Sequence, residues 1–137
     1  MTDYLVDNSV WARAIRADQA MVARLRHIER APGDLFVTCP PQVLEFCHSA
    51  RHPQEHERYR QRISLGFPLE RAPDESLVLD IQAALWNSGL VRAAGSLDIL
   101  IAGYAIVNDA TVLAADHDFD HIARVSDLQH EYIPPSA

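Results

Sequence analysis

The sequence predicts an α/β domain in which a mainly parallel β-sheet lies between two layers of α-helices. Three short apolar runs, at residues 4–6, 35–39 and 111–115, have the length and composition of buried strands. Long segments with apolar residues at helical spacing separate these runs. Parallel strands must be joined by crossovers of about a dozen residues or more, so this alternation favours a parallel sheet with helices on both faces.

The chain is expected to begin with a strand, a turn and two helices. Residues 4–6 form the strand, and the polar residues at 7–9 include natural N-caps for a helix over 10–17. A second helix is predicted over 19–31, because the Pro-Gly pair at 32–33 interrupts its apolar periodicity.

The middle of the chain repeats this alternation. The strand at 35–39 is followed by prolines at 40–41, which suit the first turn of a helix that carries Glu45. Residues 51–64 are strongly polar and indicate either a solvated helix or a hairpin arm. A short strand at 67–69 is expected at an edge of the sheet, since proline is poorly tolerated in a central strand.

The last third contains two helices with different surroundings. The helix over 74–88 is amphipathic, whereas the helix over 97–108, capped by Ser96, has almost no polar face and must be buried. After the strand at 111–115, residues 121–125 predict a helical turn and 131–133 a final strand.

Composition limits the class of protein. The chain has 137 residues, 48% apolar and 23% charged, which is typical of one globular domain. It has no apolar run near the ~20 residues that cross a bilayer and begins without a signal-peptide pattern, so we expect a cytoplasmic protein. Cys39 and Cys47 form no CxxC pair, so they are expected to be reduced and buried.

Charge is distributed unevenly along the chain. Residues 1–71 hold ten Arg against nine acidic residues, a net charge of +1, and residues 72–137 hold two Arg against ten acidic residues, a net charge of −8. All twelve cationic residues are Arg. The absence of lysine excludes every mechanism that requires one.

Four acidic residues occupy unusual positions. Asp7 and Asp116 directly follow apolar strands, whose carboxyl ends form the ligand-binding edge of a parallel sheet, although each could instead cap the next helix. Asp98 and Glu45 lie in apolar helices, where an unpaired buried carboxylate costs several kcal/mol. The alternatives are a favourable helix dipole for Asp98 and an Arg partner for Glu45.

Together, these four carboxylates would repel one another unless a cation neutralised them. Oxygen-only ligands suit Mg²⁺ or Mn²⁺, while zinc would require His or Cys beside them. His48, His52 and His56 are spaced like ligands, but their polar surroundings favour a solvated face over a metal site. His117 and His121 are discounted as ligands in the same way, although their position next to Asp116 and Asp118 keeps them near any reaction centre.

The chain resembles the PIN-domain ribonucleases in four segments that occur in the same order and at similar spacing. These are LVDNSVW at 5–11, VLEF at 43–46, LDILIAGYA at 97–105 and ADHDF at 115–119. Within that group the chain is similar to VapC-type toxins of bacterial type II toxin–antitoxin pairs, over nearly its whole length. The resemblance implies a three-layer α/β/α PIN-like domain over residues 1–137, metal-dependent cleavage of RNA, a homodimer, and inhibition by a cognate VapB-type antitoxin.

The resemblance also implies roles for individual residues. The catalytic set would be Asp7, Ser9, Glu45, Asp98 and Asp116. Asp118 is a supporting or substitute metal ligand, and Asp120 is expected to cap the turn at His121. In this interpretation Asp7 and Asp98 hold the principal ion, while Glu45 and Asp116 position water or a second ion. Ser9 orients a carboxylate or water, or serves only as a helix cap.

An acidic pocket repels RNA until metal binds, so arginines must attract the phosphates. The candidates are Arg13, Arg16, Arg51, Arg58, Arg60 and Arg62. An antitoxin arginine that entered the same pocket would replace the cation and pair with the carboxylates.

Two other functions fit parts of the sequence. A phosphatase or phosphoacceptor domain places Asp at strand ends, but the common types use a lysine, and one requires an Asp where this chain has Ser9. A degenerate PIN-like binding module would not need the four acids.

The apolar stripes at 77–85 and 97–108 exceed what a thin domain can cover, so the helix over 74–88 is expected to pack against a second copy.

Overall fold

A computed structural model describes residues 1–136, so Ala137, the last residue of the predicted domain, lies outside the described residues. Five parallel strands form one sheet in the order β3-β2-β1-β4-β5. Their bounds are β1 Asp3–Val6, β2 Leu35–Thr38, β3 Phe67–Pro68, β4 Thr111–Ala114 and β5 Gln129–Tyr132. The predicted sheet is confirmed, and β3 lies at its edge as the proline predicts.

Seven helices occur among residues 1–136. They are α1 Asn8–Ile15, α2 Gln19–Arg30, α3 Pro40–His48, α4 Pro53–Ile63, α5 Glu75–Asn87, α6 Ser96–Val107 and α7 Asp118–Arg124. The polar segment at 51–64 is therefore a helix and not a hairpin arm. The predicted turn at 121–125 is wrong in extent, because α7 begins at Asp118, and the last strand begins at Gln129 instead of 131.

The order of the strands determines where a ligand can bind. β1 lies at the centre and pairs with β2 on one side and β4 on the other, with Leu5 aligned with both Val37 and Val112. The first two crossovers therefore place β2 and β3 on one side of β1, and the third crossover places β4 on the other side. Such a switch point opens a crevice at the carboxyl ends of the strands.

Helices cover both faces of the sheet. On one face, α5, α6 and α7 pack on β-strand residues such as Leu5 and Val112. On the other face, α1 and α2 pack on Val6 and Leu113. A smaller cluster joins α3 to α4 beside these layers. The three-layer α/β/α architecture is confirmed.

The apolar helix α6 is buried as predicted. Five of its residues are buried: Ile99, Ile101, Ala102, Gly103 and Ala105. A Cβ atom at Gly103 would lie 2.9 Å from Val78 Cγ1 and 3.0 Å from Pro73, so only glycine allows α5 and its preceding loop to approach this closely. The close packing holds the middle of α6 against α5 and the loop before it.

Two smaller predictions concern the cysteines and the membrane. Cys39 and Cys47 are free and buried, as expected. Among residues 1–136, no helix is both long enough and apolar enough to cross a bilayer.

Candidate functional site

Three carboxylates from three separate elements meet at the carboxyl edge of the sheet. Asp7 follows β1, Glu45 lies in α3 and Asp98 lies in the first turn of α6. Each offers an oxygen, and these three oxygens lie within 4.8 Å of one another. We call this group the acidic cluster.

The sequence of the β1–α1 connection explains the placement of Asp7. Asp7 is the N-cap of α1, and its Oδ2 accepts a hydrogen bond of 3.0 Å from Ser9 N. Capping and membership of the cluster were alternatives for Asp7, and the structure shows that one carboxylate does both. Ala115 N donates to Ser9 Oγ at 2.9 Å, so this side chain joins the start of α1 to the end of β4.

Asp98 is held by the start of its own helix. Gly95 is the N-cap of α6, one residue before the predicted cap Ser96, which is the first helical residue. Gly95 N donates to Asp98 Oδ2 at 3.3 Å. The same carboxylate offers an oxygen to the acidic cluster.

Glu45 is the member of the acidic cluster that has no hydrogen-bond partner within the described range. Its Oε2 is buried and forms no hydrogen bond with any residue in 1–136. The Arg partner that would have explained Glu45 structurally is not found within that range, where no ion pair includes it. A buried carboxylate oxygen without a partner is unfavourable unless a cation binds it.

Gln42 positions Glu45, and sequence reasoning missed it. This buried side chain donates from Nε2 to Val6 O at 2.7 Å and accepts from Cys39 N at 3.3 Å through Oε1. It thereby ties α3 to the end of β1, one turn before Glu45 and one residue before Asp7. The available signal was its place three residues after the helix N-cap, where Gln often bonds back to the cap.

Burial and mutual repulsion raise the pKa values of the acidic cluster. For Asp7 and Glu45, burial is the main cause, and neighbouring carboxylates add to it. Burial followed by the charges of Asp7, Glu45 and Asp118 raises the pKa of Asp98 from 3.8 to about 7. Ionisation of all three carboxylates is therefore unfavourable, because the negative charges repel one another.

Asp116 and Asp118 flank the cluster without belonging to its closest group. Burial raises the pKa of Asp116, and the charges of Asp7 and Asp118 raise it further. Asp118 N donates to Asp116 Oδ1 at 3.1 Å. The charge of Asp118 also raises the pKa of each cluster member, which places it on the same side of the sheet edge.

The assignment of Asp120 as the cap of the turn at His121 is wrong. Asp120 lies within α7, where His117 is the N-cap. Its two oxygens lie 2.7 Å from His117 Nδ1 and 2.6 Å from His130 Nε2. Asp120 therefore connects two imidazoles.

Comparison with known proteins decides the family. A sequence model of the PIN domain matches residues 4–125, which include the whole acidic cluster. The chain belongs to the PIN domain family.

The similarity extends to curated VapC ribonucleases. VapC ribonuclease Mb1587 of Mycobacterium bovis is 30% identical over 131 residues, 91% of this chain and 95% of the relative. Ribonuclease VapC6 of Mycobacterium tuberculosis is 31% identical over 98 residues, 70% of this chain and 74% of the relative. The predicted VapC-type membership of the PIN family is confirmed.

Solved structures share the PIN fold at lower identity. VapBC-1 from nontypeable Haemophilus influenzae has a TM-score of 0.69 at 19% identity, over 96% of this chain and 98% of that one. FitAcB from Neisseria gonorrhoeae has a TM-score of 0.65 at 17% identity, over 93% of this chain and 95% of that one. These likenesses concern the fold.

The donor set of this PIN domain fits a hard divalent cation. All three cluster members offer carboxylate oxygen, and no group of three potential ligands within residues 1–136 contains His or Cys. His52 instead caps α4, and its Nδ1 accepts a hydrogen bond from Glu55 N, while His48 and His56 are exposed. Oxygen donors favour magnesium or manganese over zinc.

The arginines of this PIN domain differ in the groups that they contact. The positive charge of Arg13 partly offsets the rise in the pKa of Asp116. Arg13 also donates to Ser9 O at 2.9 Å, so it lies at the site. Arg13 and Arg16 also line an open cavity of about 500 Å³. Arg51 and Arg58 face the buried Glu55 at 3.0 Å and 3.9 Å, and Arg60 and Arg62 are exposed on α4.

Proposed function

We propose that this chain is a metal-dependent endoribonuclease of the VapC type that hydrolyses RNA phosphodiester bonds in the cytoplasm. The observation that carries the proposal is the acidic cluster, in which Glu45 Oε2 is buried and has no hydrogen-bond partner among residues 1–136. The curated relatives named VapC ribonucleases support RNA as the substrate.

The acids divide the work by position. Asp7 and Asp98 would hold a Mg²⁺ or Mn²⁺ ion, Glu45 and Asp116 would position water or a second ion, and Asp118 would support them. A divalent ion bound here would lower the pKa of a water molecule and offset charge on the phosphate. Ser9 orients Asp7 through its backbone N–H and keeps the end of β4 in place.

The arginines bring the phosphate backbone to this negative edge. Arg13 lies close enough to Asp116 for its charge to act on that carboxylate, and Arg16 lines the same cavity as Arg13. Arg60 and Arg62 offer exposed charge on α4, while Arg51 and Arg58 attract phosphate less because Glu55 partly neutralises them. Binding should therefore weaken as salt concentration rises.

A cleavage assay tests this function. Purified chain freed of antitoxin should cut single-stranded RNA in Mg²⁺ or Mn²⁺, EDTA should stop the reaction, and excess metal should restore it. The physical reason is that the four acids repel the phosphate unless a cation neutralises them. Folded protein that leaves a broad set of cellular RNAs intact in both metals would instead favour a binding module.

We further propose that a VapB-type antitoxin inhibits the enzyme by placing an arginine in the acidic cluster. The structural neighbour from Haemophilus influenzae is VapBC-1, which supports a partner of this kind. The planar guanidinium offers five donors and fits carboxylates such as Glu45, whose Oε2 has no hydrogen-bond partner in the part of the chain that the structure describes.

Magnesium should then compete with the antitoxin. At a magnesium concentration ten times its dissociation constant, the apparent affinity for the antitoxin should fall about tenfold. Sodium chloride at equal ionic strength should reduce it less, because screening alone does not occupy the oxygens. Titrations of the complex with each salt provide the comparison, and coinciding dissociation curves would show that inhibition acts elsewhere.

We also propose that the chain forms a homodimer through α5. Ile81 and Leu85 face the core, whereas Leu79 and Trp86 are 50% and 57% exposed. Positions 79 and 86 are seven residues apart and lie on one helix face. The exposed apolar stripe matches the part of the sequence that was expected to pack against a second copy.

Replacement of Trp86 with Asp should weaken the dimer by about 30-fold or more, since buried aromatic anchors contribute most of the binding energy at interfaces. Sedimentation at micromolar concentration should give about twice the chain mass of 15.3 kDa for the wild type and the chain mass for the variant. Leu65→Asp is the matched control, because Leu65 is 83% exposed in the loop after α4. A monomeric wild type contradicts the proposal.

A further inference from the structure

His117 is an exposed side chain that two independent contacts hold in one orientation. Its ring stacks on Tyr132, with centroids 4.3 Å apart and planes inclined by 18°. Its Nδ1 lies 2.7 Å from Asp120 Oδ2, while 65% of the side-chain surface stays accessible. Exposed side chains normally keep their rotamer freedom, so this arrangement indicates a preorganised surface.

The fold places this stacked pair beside the acids. His117 follows Asp116 directly and precedes Asp118. Tyr132 ends β5 and is aligned with Ala114, the last residue of β4. The pair therefore lies at the same carboxyl edge of the sheet as the acidic cluster.

The free face of the imidazole points to solvent. Tyr132 covers one face of the ring, and Asp120 occupies the edge that carries Nδ1. Since most of the side chain is accessible, the accessible part comprises the opposite face and the other edge. A flat, anchored aromatic face next to a negative, metal-binding edge suits an unpaired base more than a phosphate.

We propose that His117, backed by Tyr132, is a stacking platform for an unpaired base of the RNA next to the bond that is cut. Proteins recognise single-stranded RNA by stacking splayed bases on aromatic rings, including His. The Asp120 bond and the Tyr132 stack position the ring before RNA arrives. This inference rests on the proposed ribonuclease function and adds a preference for unpaired substrate.

RNA binding without cleavage tests the platform. Each variant is made in full-length Asp98→Asn protein, and its dissociation constants for a single-stranded oligoribonucleotide and for an RNA duplex are measured by fluorescence anisotropy. His117→Ala should weaken single-strand binding by about 5- to 100-fold and duplex binding much less. His117→Phe, which keeps a flat ring, should stay within about threefold of the parent.

The matched control is His27→Ala, which should bind RNA as the parent does. His27 is exposed and lies near the end of α2, towards the amino ends of the strands. Thermal melting shows that each variant is folded. If His117→Ala binds single-stranded RNA as tightly as the parent, the platform is overturned. If His117→Phe binds as weakly as His117→Ala, the platform is also overturned, because a ring nitrogen would then be required.

The proposed function has its own readout. If wild-type protein cuts RNA while His117→Ala binds single strands normally, only the platform fails. If the wild type cuts no RNA and the Asp98→Asn parent binds neither form, the ribonuclease proposal fails, and the platform fails with it.

Discussion

Replacement of Asp98 with Asn is expected to lower the rate of RNA cleavage by about 1000-fold or more while the chain still folds. The change removes one of the three carboxylates of the acidic cluster and hence several kcal/mol of charge stabilisation in the transition state. The fold should tolerate it, because the contact from Gly95 N can be accepted equally well by the Asn side-chain oxygen.

Asp109→Asn is the matched control for this experiment. Asp109 lies just beyond the other end of α6, is exposed, and has a φ of 56°, which Asn accommodates well. The control loses the same charge from a position two residues beyond α6 and should cleave at the wild-type rate. Cleavage rates are compared at equal protein concentration, and an Asp98→Asn variant as active as the control removes Asp98 from the mechanism.

The metal-free protein is expected to lose stability as the pH rises from about 4 to about 7. Burial and neighbouring charges raise the pKa of Asp98 from 3.8 to about 7, so the folded state binds more protons than the unfolded state in this window. Stability then falls with increasing pH and levels off above the folded-state value. The raised pKa values of Asp7 and Glu45 act in the same direction.

The Asp98→Asn variant should flatten this dependence and melt about 3–6 °C higher than the wild type at pH 8 without metal, since one repelling charge is gone. Saturating Mg²⁺ should raise the melting temperature of the wild type and leave the variant nearly unchanged. Scanning calorimetry at pH 5 and pH 8, with and without Mg²⁺, measures both effects. A wild type that is more stable at pH 8 than at pH 5 in EDTA would falsify this electrostatic account.

The sequence could reveal the acidic cluster because its members break ordinary patterns. Glu45 and Asp98 place charge in apolar helices, and Asp7 follows a buried strand, so each needs an explanation beyond solubility. The sheet was predictable because β1, β2 and β4 are short apolar runs that helices separate. These signals are local in the chain.

The missed features depend on partners that are distant in the sequence. Gln42 looks like an ordinary helical residue until its bond to Val6 O, 36 residues away, is seen. Asp120 was taken for a cap because its second partner, His130, lies on β5. That strand has the polar sequence QHEY, so no apolar run marks where it starts. The stacking of its Tyr132 on His117 is likewise not visible in the sequence pattern.

The central claim is that Asp7, Glu45 and Asp98 together bind a divalent ion. Titrating Mn²⁺ into antitoxin-free protein, with free Mn²⁺ measured by electron paramagnetic resonance, tests it without any RNA. Wild type and Asp109→Asn should bind Mn²⁺ alike, and Asp98→Asn should bind it at least about 10- to 100-fold more weakly. Equal Mn²⁺ binding by Asp98→Asn and the wild type would contradict the account.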